Sequence, residues 1–364
     1  MTEDADVINS QDKNLSKDEI ALYDRQIRLW GVEAQRRMRN ARVLIINLTS
    51  VAVEITKNLM LGGIGSLSII DNSVVLPQDL NCNFFIDSQS IGLNKLDASK
   101  TRIQDLNLRV DLKTFIEDWE SKDKNWFNSF DLVIGTGLDK LQLIKLNNIT
   151  RDLKLPLYST STHGLYGYIF VDLIEHESTV KKSKGNIPRK IGPINSVSEI
   201  VKVHSYSTEN DQEMESFIVL NKYRKIEDIF QDSNESSSNL LKEFYPSVKK
   251  LKKINGCLPI LLSLLEFKSM LNIDINEVNI NSNELKLKSQ EICDKLGLDS
   301  KILITDELIN EISRQAFTEF QPVSAIIGGA VSQDVINMFG KRENPINNFL
   351  IFDGPKSEMP IFVL

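Results

Sequence analysis

The feature that most constrains the fold is the alternation of short apolar runs with amphipathic helical segments through the first half of the chain. Residues 41–48 (ARVLIINL) form a continuous apolar run, short enough for a buried parallel strand. A helical pattern ending on glycine follows, and a second apolar run, SLSIID, ends at Asp71. Strands that alternate with helices in this way predict an α/β fold with a Rossmann-like, doubly wound and mostly parallel sheet.

The strand–helix alternation stops near residue 177 and returns near residue 304. Between these points a basic, breaker-rich stretch precedes residues 240–303, which we predict to form the helices of a separate lobe. The sequence therefore predicts one interrupted α/β domain in the following parts: a flexible tail at 1–15, the α/β domain at 16–177 and 304–364, and a mainly helical insertion at 178–303. Ahead of the first strand, Ser16 with Glu19 three residues later predicts a capping box, and Gly31 predicts a break between two short helices.

Composition excludes several classes of function. With 41% hydrophobic and 26% charged residues, the 364-residue chain has the composition of a globular protein. A net charge of -7 argues against broad nucleic-acid binding, and no apolar stretch is long enough to span a bilayer. The three cysteines form no CxxC pair and the three histidines are scattered, so no metal site is predicted. We expect an intracellular protein in a reducing compartment that binds other proteins, with no nucleic-acid or membrane partner.

The turn after the first predicted strand is where such a fold binds a nucleotide. Glycines normally let the backbone approach the phosphates there, and the following helix N-terminus stabilises their charge. This turn has no glycine, because Asn47, Thr49, Ser50 and Ala52 occupy it. Asp71, at the end of the second strand, fits a ribose ligand and a turn or cap residue about equally well. The fold is strongly indicated, whereas an intact nucleotide site is not.

Three further segments are more specific, and they resemble the ubiquitin-like-protein activating enzymes, whose adenylation domain is of the ThiF/MoeB type. They are residues 23–31 (YDRQIRLWG), residues 322–336 (PVSAIIGGAVSQDVI), and the pair NNF at 347–349 with FDG at 352–354. Within the second segment, we expect Gly328 and Gly329 to permit close helix packing and not to bind a ligand. The resemblance covers roughly residues 16–176 and 306–364.

This resemblance implies a division of labour between two paired adenylation domains, of which only one has a working site. That site uses ATP and Mg²⁺ to activate the C-terminal glycine of a ubiquitin-like protein, and a cysteine of the same subunit then takes the acyl group. Here all four glycine positions hold other residues, and the usual asparagine and arginine align with Asp79 and Cys82. Lys95 matches a nucleotide-binding lysine but cannot replace the missing loop. The chain therefore resembles the inactive half, with ATP and Mg²⁺ bound by its partner and an insertion that lacks the catalytic cysteine.

The resemblance also assigns roles in the first segment. Arg25 matches the arginine that crosses the interface to the partner's ATP, a role that suits a planar, permanently charged guanidinium. The alternative is that Arg25 pairs with Asp24 or Glu19 on a surface helix. The neighbouring residues are expected to support the interface or the core: Arg28, Leu29 and Trp30. Because no cysteine has a neighbour that would activate it, we expect all three to be buried thiols.

The size of the insertion is most similar to that of the non-catalytic subunit in the SUMO branch of the family. That branch implies an obligate heterodimer with the catalytic SUMO-activating subunit, SUMO as a partner, and a nuclear and also cytoplasmic location. A regulatory subunit of the NEDD8-activating enzyme is an alternative. A self-sufficient sulfur-carrier enzyme would need the glycine loop and often CxxC pairs, which are absent. A binding scaffold and an NAD-dependent oxidoreductase are the remaining alternatives, and the missing glycines argue against the oxidoreductase.

Overall fold

The structure is a computed structural model that describes residues 15–185, 189–207, 213–230, 237–270 and 280–364. The predicted tail at 1–15 lies, apart from Leu15, outside the described residues. Its helices, numbered in chain order, are α1 Lys17–Leu22, α2 Asp24–Trp30, α3 Val32–Asn40, α4 Ser50–Gly62, α5 Lys95–Leu106, α6 Lys140–Asp152, α7 Glu227–Phe230, α8 Ser237–Phe244, α9 Val248–Leu251, α10 Cys257–Met270, α11 Ser282–Leu296, α12 Ser300–Leu303, α13 Asp306–Gln315 and α14 Gln321–Gly340.

Eight strands form the main sheet in the order β12-β11-β6-β5-β4-β1-β2-β3, and four strands form a second sheet in the order β7-β10-β9-β8. The strands are β1 Arg42–Ile46, β2 Ser66–Ile70, β3 Asp111–Phe115, β4 Leu132–Thr136, β5 Leu157–His163, β6 Tyr166–Asp172, β7 Glu175–Ser183, β8 Gly192–Asn195, β9 Ser198–Ser207, β10 Glu213–Lys222, β11 Phe349–Asp353 and β12 Ile361–Phe362. Strands β1 to β5 pair in parallel, whereas β6, β11 and β12 pair antiparallel. This arrangement confirms the predicted doubly wound, mostly parallel sheet.

The chain enters the sheet through three short helices. Ser16 and Glu19 form the predicted capping box, in which each side chain accepts a hydrogen bond from the other residue's backbone N–H. Gly31, at φ 88°, ends α2 where the sequence predicted a break. A second break at Tyr23 was not predicted; this buried tyrosine ends α1 and accepts a hydrogen bond through its hydroxyl from Asn107 at 2.8 Å.

Alternate residues of β1 supply the two faces of the core. Leu44 and Ile46 pack on the face that carries α10, whereas Val43 and Ile45 pack on the face that carries α4 and α14. A strand buried on both faces explains why its sequence is continuously apolar. The sheet is therefore a central layer with helices on either side.

The insertion differs from the prediction in two respects. Residues 175–222 contain a four-stranded antiparallel sheet, β7 to β10, which the sequence analysis did not predict. Residues 257–270, placed in a separate lobe, form helix α10, which packs against the main sheet in a shared core cluster. The reason is that α10 is apolar on nearly all sides, so it is stable only when neighbours cover it completely.

The closing segments NNF and FDG have structural roles. Asn348 is fully buried and forms two hydrogen bonds with the backbone of Leu364, at 2.8 and 3.1 Å. Asp353 accepts hydrogen bonds from Asn255 at 2.8 Å and from the Cys257 thiol at 3.4 Å. These contacts fasten the last strands to the start of α10.

Helices α4 and α14 approach each other closely at Gly328. A Cβ atom built on Gly328 would lie 2.6 Å from the Cβ of Glu54, whereas one built on the adjacent Gly329 would meet nothing within 4 Å. Close packing of the two helices therefore depends on the first of the two glycines and not on the second.

We expect Gly328→Ala to lower the free energy of unfolding by about 1–3 kcal/mol, because the two helices must separate to admit the methyl group. Gly329→Ala is the matched control and should raise stability by about 0.5–1 kcal/mol, since it replaces a glycine within a helix without a clash. Chemical denaturation measures both changes, and equal effects of the two variants would contradict the packing role of Gly328.

Candidate functional site

The turn between β1 and α4 lies at the edge of the sheet where strand order reverses, because β1 has β2 on one side and β4 on the other. Ligands of doubly wound folds bind in the crevice at this position. Asn47 opens the turn at φ 64°, in the left-handed region that asparagine tolerates better than most residues other than glycine. The turn therefore keeps the backbone path of a nucleotide fold without glycine.

The backbone N–H groups of the turn are occupied by this chain's own oxygens. Three of them donate to acceptors within the protein: Leu48 to Asp71 at 2.6 Å, Ser50 to Glu319 at 3.1 Å and Ala52 to Thr49 at 3.4 Å. In a nucleotide-binding loop such groups point at phosphate oxygens. A phosphate entering here would have to displace an internal partner of each one.

Side chains also join the turn to β4 across the crevice. The Asn47 side chain donates to the carbonyl of Thr136 at 3.0 Å, and the Thr136 hydroxyl donates to the carbonyl of Asn47 at 2.8 Å. Thr49 donates to the same Thr136 hydroxyl at 2.8 Å. The residues that replace the glycines thus form a hydrogen-bonded bridge over the switch point.

Asp71 acts as a turn residue, which the sequence analysis gave as the alternative to ribose binding. Its carboxylate is buried and accepts hydrogen bonds from the backbone of Leu48 at 2.6 Å and of Ser73 at 2.7 Å. Both oxygens are therefore used to hold the two strand ends together.

Lys95 and Asp79, for which the resemblance implied nucleotide-site positions, form a mostly buried ion pair at 3.0 Å. Burial opposes the charge on Lys95, but Asp79, together with the charges of Glu319 and Asp71, outweighs burial and raises the lysine pKa. The lysine thus has an internal partner.

Cys82, which the resemblance placed at the position of a family arginine, faces Glu319, with its sulfur 3.4 Å from the second carboxylate oxygen. Burial, reinforced by the negative charge of Glu319, raises the pKa of Cys82 to about 12. The sequence analysis did not identify Glu319, which lies two residues before the start of α14 and three residues before the second family-like segment. The signal available in the sequence was an acidic residue just before a predicted helix. In the structure this helix packs on the nucleotide helix α4.

Lys268, from helix α10, reaches the opposite side of the turn. Its ammonium group donates to the carbonyl of Gly137, just after β4, and lies 6.0 Å from the ring centre of Phe317. Burial lowers the pKa of Lys268, although the charges of Asp139 and Glu319 oppose this shift. The insertion therefore contributes a cation to the switch point, which the sequence analysis also missed.

The N-terminal segment presents a different surface. Arg25 is exposed on α2, and both acids proposed as its alternative partners pair elsewhere: Asp24 with Arg28 at 2.9 Å and Glu19 with Arg39 at 2.6 Å. Among the residues that the structure describes, no hydrogen bond or ion pair is found for Arg25. Its guanidinium is therefore directed to solvent.

Two neighbours of Arg25 have opposite environments. Leu29 is 80% exposed, an unusual position for a large aliphatic side chain. Trp30 packs against the core and donates through its indole N–H to Gln35 at 2.9 Å. Leu29 is therefore available to a partner, whereas Trp30 fixes the helix to its own domain.

The fold and this modified nucleotide turn define a class of protein. The chain belongs to the ThiF family, whose profile matches residues 23–364. The solved structure of PaaA is similar in fold, with a TM-score of 0.54, 14% identity, and coverage of 97% of this chain and 85% of that chain. These matches confirm the predicted adenylation-domain fold.

Curated relatives align over nearly the whole chain. DNA damage tolerance protein RHC31 of Saccharomyces cerevisiae is 42% identical over 352 residues, which is 96% of this chain and 98% of that protein. SUMO-activating enzyme subunit 1 is 33% identical in Rattus norvegicus, covering 94% of this chain and 93% of the relative, and 30% identical in Homo sapiens, covering 94% of both. The predicted resemblance to the ubiquitin-like-protein activating enzymes is thereby confirmed.

The ATP that this resemblance implies does not fit the residues of this chain's own turn. The phosphate-facing amides already donate to internal oxygens, and the Glu319 carboxylate would repel a phosphate at the start of α4. No group of His, Cys, Asp or Glu able to hold a metal ion occurs among the described residues. None of the described helices has the length and apolar character needed to cross a membrane.

All three cysteines are buried, and burial raises the pKa of each thiol, to about 12 for Cys82 and Cys293 and still further for Cys257. Because only the thiolate reacts, we expect iodoacetamide at pH 8 to modify each of them about 10²-fold more slowly than a peptide cysteine. Site-resolved mass spectrometry measures the rates, and the denatured chain, in which all three should react at the peptide rate, is the control. A cysteine of the folded chain that reacts at the peptide rate would contradict this assignment.

Proposed function

We propose that this chain is the non-catalytic subunit of a heterodimeric SUMO-activating enzyme. With its catalytic partner, subunit 2, it supports ATP-dependent adenylation of the C-terminal glycine of SUMO and transfer of SUMO to a cysteine of that partner. Two findings support the proposal: relatives named SUMO-activating enzyme subunit 1 align over 94% of the chain, and the chain's own nucleotide turn is filled by internal groups. The chain alone is inactive in this scheme.

The proposal depends above all on the exposure of Arg25 and on its lack of a partner among the described residues. An exposed guanidinium without a partner among the described residues is available to another molecule, and its planar set of donors suits phosphate oxygens. Its own turn offers no phosphate to bind, because the turn is closed by Glu319 and Asp71. The target that remains is a nucleotide held by the partner.

Exposed apolar side chains near Arg25 provide the surface on which the partner would dock. Leu22 is 58% exposed, Leu29 80% and Val32 49%, all within the three N-terminal helices. Aliphatic side chains concentrated around a charged residue are typical of an interface core. Arg28 lies at the edge of this surface and is held by Asp24.

The cofactors and the remaining partners follow from the same scheme. ATP and Mg²⁺ bind to the catalytic subunit, SUMO is the modifier, and the chain acts in the nucleus and also in the cytoplasm. The acyl-accepting cysteine belongs to the partner, because the raised pKa of each thiol here opposes nucleophilic attack. None of the relatives described above favours the NEDD8-enzyme alternative.

Arg25→Ala should leave the heterodimer intact and slow ATP–pyrophosphate exchange on the order of 10²-fold. An arginine supplied in trans contributes roughly 10³–10⁵ in other phosphoryl-transfer enzymes, and here Mg²⁺ and the partner share the stabilisation of charge. Arg25→Lys should restore the rate only in part, since a point charge does not reproduce the planar fork. Exchange kinetics beside size-exclusion chromatography measure the two effects separately.

Arg28→Ala is the matched control, because it removes a second guanidinium from the same helix. Its exposed pair with Asp24 contributes little to stability, so any effect should fall on assembly and not on exchange by the assembled enzyme. An Arg25→Ala heterodimer with an undiminished exchange rate would remove Arg25 from the mechanism.

A further inference from the structure

Glu319 stands at the point where a nucleotide fold places a phosphate. One carboxylate oxygen accepts the backbone N–H of Ser50, the first residue of the 13-residue helix α4, at 3.1 Å. The other oxygen lies 3.4 Å from the thiol of Cys82, which replaces the family arginine. A negative group in this position is stabilised by the backbone N–H groups and the dipole at the start of the helix.

Charged groups on both sides of the turn complete the environment of this carboxylate. Lys95, which is paired with Asp79, attracts Glu319 from one side, and Lys268, anchored on the carbonyl of Gly137, attracts it from the other. Burial raises the pKa of Glu319 and the nearby Asp79 carboxylate repels it, so the two lysines favour its charged form against both effects. Two lysines placed around a helix N-terminus form an arrangement that binds small oxyanions.

The packing of α14 holds Glu319 in place. Gly328 allows α14 to lie against Glu54 of α4, and Gln321 donates to the side chain of Glu54 at 2.9 Å, two residues after Glu319. Helix α14, which follows Glu319, is thus fastened to α4, whose N-terminus the carboxylate contacts. The position of the carboxylate is therefore fixed by helix packing and not by the rotation of a surface side chain.

We propose that Glu319 is an internal substitute for the nucleotide phosphate, so that the degenerate site of this subunit is liganded by its own chain. The missing glycines alone weaken nucleotide binding, whereas Glu319 and its partners fill the position of the phosphate. The inference rests on contacts within this chain and goes beyond the assignment of ATP to the partner. It predicts that removal of the carboxylate opens a site for a small oxyanion such as inorganic phosphate.

The test is thermal unfolding of the full chain in phosphate and in chloride at matched ionic strength. Glu319→Ala should unfold at a temperature about 2 °C higher when phosphate is in tenfold excess over its dissociation constant. The wild-type chain should show no such difference. Glu307→Ala is the matched control, because it removes an exposed carboxylate from the first turn of α13 and should also show none. A folded Glu319→Ala chain without a phosphate response would overturn the proposal, as would an equal response in the wild type.

Glu319→Ala that folds in phosphate but not in chloride would support the proposal, since the added anion then replaces the lost one. If this variant folds in neither buffer, Glu319→Gln is the variant that tests the proposal. The neutral amide keeps the volume of the side chain but not its charge, so the Ser50 N–H should exchange with solvent faster than in the wild type. Unchanged hydrogen exchange at Ser50 would then overturn the proposal.

Discussion

The close contact between α4 and α14 at Gly328 is the constraint on which the rest of the structure depends. It fixes the position of the nucleotide helix on the sheet and brings Glu319, one residue before the N-cap of α14, to the first turn of α4. The same helix supplies Asp334, which is buried and accepts a hydrogen bond from Tyr158 of β5 at 2.7 Å. One helix therefore joins the switch point, the central sheet and the closing segment.

Because the turn is closed, the polar and charged groups at the turn and on α2 fall into two sets, one bonded within the turn and one exposed on the surface. The polar groups around the switch point form hydrogen bonds and ion pairs with one another, so they stabilise the domain, and a phosphate there would have to displace them. Arg25, by contrast, lies outside the sheet on α2, where it is exposed beside Leu29. A domain that keeps the adenylation fold but directs its free guanidinium outward is suited to completing the site of another subunit.

Local patterns in the sequence predicted much of this architecture. The capping box at Ser16 and the apolar run of β1 are each contained in a few neighbouring residues, and each was confirmed. The contact of Glu319 with Ser50 joins residues 269 positions apart, and that of Lys268 with Gly137 joins residues 131 apart, so no local pattern encodes them. The sheet of the insertion was missed although β10 alternates between buried and less buried residues, because the breaker-rich run before it masked the pattern.

The central claim is that this subunit's own nucleotide site is closed by internal groups. Calorimetric titration of the purified full chain with ATP and Mg²⁺ tests it most directly, with the partner subunit absent. We expect no saturable binding up to roughly millimolar ATP, because three amides of the turn already have internal acceptors and Glu319 would repel a phosphate. Binding of one ATP per chain with micromolar affinity would contradict both the closed turn and the assignment of the working site to the partner.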